Sequence, residues 1–149
     1  MPQYSVFDVA DYFLSIEAMT PKKLQKLCYY AEAWSHALLK RGLIQDSHFE
    51  AWVHGPVSPE LYQKYKSYKW TEIEKVESNL DNFDEIDLEL LESVWDTYGE
   101  FSANDLEAMT HDELPWQNAR IGYGAYDNCN VVIEAEDMRT YYSRLYIGD

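Results

Sequence analysis

Four histidines and two cysteines are the side chains of this sequence best suited to ligate a metal or attack a carbon centre. Their spacing does not assemble either chemistry. No CxxC, HxH or HExxH pattern occurs, so a zinc site has no local signature. Glu32 and His36 stand four apart on one predicted helix face, a spacing that suits two ligands and equally suits an ordinary side-chain pair. Cys28 and His36 share that helix, but eight residues at about 1.5 Å rise separate them by roughly 12 Å. That is too far for a thiolate–imidazole pair, and Cys28 lies on the apolar stripe, where a small buried hydrophobe is expected. Serine, histidine and aspartate are present without a nucleophile elbow, and there is no glycine-rich phosphate loop. The expectation is a binding protein with no catalytic residues, no metal and no cofactor.

The stretch EAWVHGPVSPELYQKYK, residues 50–66, draws attention for a different reason. Proline disfavours the α region for the residue before it, and glycine reaches conformations a side chain forbids. His54-Gly55-Pro56 therefore reads as a stiff corner between a strand and a helix opened by Ser58-Pro59. The histidine fills that corner as a hydrogen-bonded residue, faces a partner, or acts as a metal ligand or general base; the corner role is the expected one.

The elements that position this corner are mainly helical. Ser5 with Asp8 reads as a capping box opening a first helix. Thr20-Pro21 opens a second, since threonine caps and proline suits the first helical position. Leu24, Leu27, Cys28, Ala31, Trp34 and Leu38 then follow helical spacing, with Gly42 placed to close the helix in a left-handed conformation. Residues 49–53 alternate as a short strand, and Asn130–Ile133 reads as the second. Residues 70–86 are acidic and weakly patterned. Asp87 begins another helix, stopped by Gly99, and Ser102 with Asp105 repeats the capping-box signal. Pro115-Trp116 punctuates, residues 122–130 are turn-rich, and Ala135–Tyr146 is the last helix. The sum is a mainly α fold, one compact helical domain over residues 1–149, with a small two-stranded antiparallel ribbon.

The chain has 149 residues, 46% of them apolar and 15% aromatic, enough for one sizeable core. No apolar run approaches the roughly 20 residues of a bilayer span. The N-terminal MPQYSVFDVADYF lacks the basic segment and cleavage site of a secretory signal, and two cysteines imply no disulfide framework, so a cytoplasmic location is expected. Net charge is −15, which opposes binding to a phosphate backbone. It is unevenly spread: residues 1–70 carry eight Lys/Arg against seven Asp/Glu, and residues 71–149 carry four against twenty. A one-signed field of that kind either keeps a face solvated or steers a basic partner.

Three blocks, MTPKKLQKLCYYAEAW at 19–34, EAWVHGPVSPELYQKYK at 50–66 and LPWQNAR at 114–120, together resemble the Panacea domain of SocA-like antitoxins, a family also described as phage-associated. The motif falls on Lys23, Leu24, Lys26, Leu27, Tyr29, Tyr30, Ala31 and Trp34. It continues on Glu50, Ala51, Trp52, Gly55, Pro56, Val57, Pro59, Leu61 and Tyr62, then Pro115 and Trp116. His54 stands where many members have an aromatic residue, and Cys28 replaces the more usual aliphatic one. The resemblance implies a bacterial or prophage antitoxin that neutralises a cognate toxin by direct binding and occlusion. Its alternatives are an adaptor delivering the toxin to a protease, or an enzyme reversing the toxin's modification. The implied partner is the toxin, basic on its contact surface if the acidic half steers it, with a homo-oligomer or a hetero-oligomer with the toxin as the expected assembly; charge and hydropathy add the expectation of no nucleic acid and no membrane.

Aromatic residues dominate interface hot spots, which makes Tyr30, Trp52 and Trp116 candidate contacts beside His54, Gly55, Pro56 and Val57. Tyr30 is expected to point away from the apolar stripe. Lys22, Lys23 and Lys26 crowd the positive end of the second helix, where cations are disfavoured by some tenths of a kcal/mol each. Pairing with acids relieves that cost. The acids are either internal or on the toxin, and Lys23 and Lys26 join the candidate contacts on the second reading.

Overall fold

Every residue from Leu24 to Ala33 is buried, a run that includes Gln25, Lys26 and Glu32. A helix covered on all sides must lie at the centre of its fold rather than on one face. The computed structural model, which describes residues 3–148, places it there. This central helix, α2 (Pro21–Trp34), is flanked by α1 (Val6–Leu14), α3 (Pro59–Tyr65), α4 (Glu85–Tyr98), α5 (Ala103–His111) and α7 (Ala135–Ile147). A short helix α6 (Leu114–Ala119) joins α5 to α7. Helix makes up 57% of the described residues, among which there are seven α-helices and one small antiparallel sheet, so the fold is mainly α. Among the described residues, no helix is long and apolar enough to cross a membrane.

Thr20 caps α2 by accepting from the Lys23 amide at 3.3 Å, with Pro21 in the first turn. The far end differs from expectation. After Trp34 the helix widens into a π-helical turn, Ser35–Leu39, and Lys40 rather than Gly42 takes the left-handed position, at φ +58°. Glu32 fixes the chain beyond it: Oε1 accepts from the Leu43 and Ile44 amides at 2.7 and 3.0 Å. The expected Ser5–Asp8 box is also replaced. Ser5 accepts from the Phe7 amide, while the distant Asp46 accepts from the Val6 amide and the Ser5 hydroxyl. Ser102 and Asp105 form the reciprocal box anticipated for α5.

The ribbon consists of β1 (Glu50–Trp52) and β2 (Gly55–Val57), paired Glu50 to Val57 and Trp52 to Gly55. Its second strand is therefore the segment directly after the corner, not Asn130–Ile133. The latter lies along the other side of β1, where the Ala51 amide donates to Val131 at 2.9 Å and the Ile133 amide to Phe49 at 2.8 Å. Two residues, Val53 and His54, make the hairpin loop, and Gly55 at φ +109° absorbs the turn. Pro115-Trp116 lies within α6, not at a break.

Candidate functional site

Helix α2 holds the hairpin through two side chains. Gln25 acts as a backbone mimic, donating to the Ser58 carbonyl at 3.0 Å and accepting from the Ser58 amide at 2.8 Å. One residue on, the Lys26 amine donates to the Pro56 carbonyl at 3.1 Å. A Cβ on Gly55 would sit 2.5 Å from Lys26 Cε, so the lysine passes where only glycine leaves room. Burial pushes the Lys26 amine down to about 7 from 10.5, opposed in part by Glu107. An amine stripped of water loses the hydration its charge needs.

The opposite side of the hairpin is held as firmly. Trp116 donates its indole N–H to the Trp52 carbonyl at 2.9 Å. Its ring stacks on His111, centroids 4.0 Å apart and 17° from parallel. Burial lowers the His111 pKa, with Glu107 pulling the other way. Arg120 is 5% exposed and donates to three carbonyls, those of Ala51, Gly124 and Asp127, each at 2.8 Å. It ties the 120–127 turn to β1.

Two grooves open beside the hairpin, and Trp52, His54 and Val57 line both. One, of about 600 Å3, is closed on its far side by Asn128, Cys129 and Asn130. The other, of about 380 Å3, runs toward α3 past Tyr62, Lys66 and Lys69. His54 projects at the tip, its side chain 74% exposed, with Nδ1 3.3 Å from Glu107 Oε2. Glu107 also pairs with Lys22. Burial alone would raise the Glu107 pKa, but Lys22 and His54 together bring it below the usual carboxylate value.

The structure divides the expected contact residues. Trp52, His54 and Val57 meet at the grooves, with Gly55 and Pro56 buried beneath them. Lys23 is half-buried, donating to the Gly99 carbonyl at 2.7 Å and lying 5.5 Å from the Trp95 ring. Lys26 and Tyr30 are 1% and 0% exposed, which overturns the outward orientation expected of Tyr30. The reason is the central place of α2, which leaves no free face. Tyr30 stacks on Tyr98 at 3.9 Å and donates to Glu113 Oε1 at 2.9 Å; Tyr142 donates to the same oxygen at 2.7 Å. Trp116, at 9% exposed, is a brace under the hairpin. The lysines at the start of α2 find their partners inside the chain.

Sequence reasoning missed Gln25, Arg120 and the groove residues Lys66 and Lys69. Gln25 and Arg120 both sat inside the blocks that carry the resemblance, with no pattern to mark either. Lys66 and Lys69 stood out only as positive charge in an acidic chain. Cys28 is fully buried, and burial raises its thiol pKa far above the ordinary value, so it is no nucleophile at neutral pH. Among the described residues, no three His, Cys, Asp or Glu side chains are grouped to hold a metal.

The hairpin is clamped between the buried helix α2 and the Trp116–His111 stack. The model for the antitoxin SocA-like Panacea domain matches residues 24–117. The chain belongs to that family. No curated protein and no solved structure matches it.

Proposed function

We propose that this protein is an antitoxin that neutralises its cognate toxin by binding it directly, with the hairpin tip as the centre of the contact. One observation carries the reading: Trp52, His54 and Val57 line grooves on both flanks of a tip whose backbone is fastened by Gln25, Lys26, Trp116 and Arg120. A surface ordered before binding loses little entropy on binding, which favours tight occlusion. The charge imbalance supports a two-signed encounter. The acidic second half attracts a basic toxin surface during encounter, most strongly at low salt, and the hairpin face is bordered by lysines. The two buried free thiols suit a reducing cytoplasm.

The test is a titration of the purified toxin, encoded by the neighbouring reading frame, against this protein. Occlusion requires complete inhibition at no less than one molecule per toxin site, and co-purification at low salt. Rescue at trace ratios would instead mean turnover. Toxin loss in cells that needs a protease, with no inhibition by purified components, would mean delivery for degradation.

A further inference from the structure

The groove between the hairpin and α3 differs from its neighbour in charge. Lys22, Lys66 and Lys69 border it, with the Trp52 and Tyr62 rings in edge contact at 5.0 Å on its wall. Lys66 and Lys69 are exposed. The Lys66 amine donates to Gln63 at 2.9 Å, and the Lys69 amine lies 6.0 Å from the Trp70 ring. Among the described residues neither has a carboxylate within 4.0 Å, in a chain with twenty-seven Asp and Glu. Two unpaired cations side by side in so acidic a protein mark a local field of the opposite sign. The backbone supports the display. Lys69 is held at φ +56°, ψ −114°, a conformation rarely taken by residues with a side chain, and Trp70 beyond it is 80% exposed.

We propose that this groove docks an acidic segment of a protein partner, its carboxylates on Lys66 and Lys69 and an apolar or aromatic side chain against Trp52 and Tyr62. The inference rests on the direct-binding reading and adds the chemistry of the toxin's contact. A protein segment fits better than a nucleic acid. Screening confines charge effects to about 8 Å at physiological salt, so a short acidic stretch meets the lysines alone. A long polyanion would also meet the acidic remainder of the molecule.

Selection of random twelve-residue peptides displayed on phage, against the full-length protein, tests this without the toxin. Enriched peptides are expected to be net negative with at least one aromatic or large aliphatic residue. A synthetic copy of the leading peptide, followed by fluorescence anisotropy, should bind the double variant K66E/K69E at least tenfold more weakly. The double variant R139E/R144E, on α7 and identical in net charge, should bind it as the parent does. No enrichment, basic peptides, undiminished binding to K66E/K69E, equal loss in the α7 variant, or equally tight binding of a twelve-nucleotide oligo-dT would each overturn the proposal. Peptide selection can fail while the toxin still co-purifies, so failure of this inference is distinguishable from failure of the direct-binding reading on which it rests.

Discussion

Lys26 crosses the bare α-carbon of Gly55 to reach the carbonyl of Pro56, and the two residues, 29 positions apart, have to be read as one unit. Lysine needs the space glycine leaves, and the φ of +109° needs glycine in any case. Gly55→Ala should cost roughly 2–4 kcal/mol, combining backbone strain with displacement of a buried side chain. Urea unfolding measures it; a loss under 1 kcal/mol would show that the corner is pliable.

The Lys26 amine also gives stability a pH dependence. Its pKa falls on folding from 10.5 to about 7, so between those values the unfolded chain binds the extra proton. Stability therefore rises with pH across this window, by about 2–3 kcal/mol from pH 7 to 9. Glu107 raises and Lys22 lowers the amine's pKa, the amine itself lowers that of His111, and Lys26→Met removes the amine at similar volume. The variant should lose this rise, keeping only the fall of roughly half a kcal/mol that Glu113 contributes above pH 7. An unchanged slope would assign the effect to other groups.

Glu113 acts in the opposite direction. Burial raises its pKa from 4.5 to about 7, although Tyr142 and Tyr30 both donate to it. The native state holds the proton between those values, so stability falls as pH rises through them, by roughly 2–3 kcal/mol. Glu113→Gln should abolish this fall and be more stable than the parent at pH 7.5. Thermal unfolding at pH 5 and pH 7.5 reads both signs.

Lys69 is strained and exposed, so its glycine variant should gain about 1 kcal/mol. Trp70→Ala should leave the melting temperature nearly unchanged, since the ring is 80% exposed. Peptide or toxin affinity should fall in both. A Lys69→Gly protein less stable than the parent would mean that the lysine side chain supports the fold.

The start of α2 was legible because Thr20-Pro21 is a local signal with a local cause. The corner at residues 54–56 was legible for the same reason. Its strand partner was not: GPV is three residues long and contains proline, whereas Asn130–Ile133 has the β-branched run that local propensity favours. Tertiary contacts placed that run against the outer side of β1 instead. Tyr30 was misread because a stripe argument presumes one wet face, and a helix at the centre of the fold has none. For Lys26 the sequence left internal pairing and a partner contact both open, and the structure gives it an internal partner, the Pro56 carbonyl. Of the motif residues, Lys26, Tyr30 and Trp116 serve as fastenings, while the cationic rim at Lys66 and Lys69 lies at or beyond the motif's end.

Both margins of the ribbon are already occupied. On the β1 side, residues 131–133 and Arg120 engage the main chain; on the β2 side, Gln25 and Lys26 do so, and Pro56 has no N–H to offer. An incoming chain therefore has no backbone ladder to extend at this tip, and strand-by-strand augmentation or fibre growth from it is blocked. A partner docking at this tip would have to be held by side chains, so its specificity could be rewritten at a few surface positions while the scaffold below stays untouched.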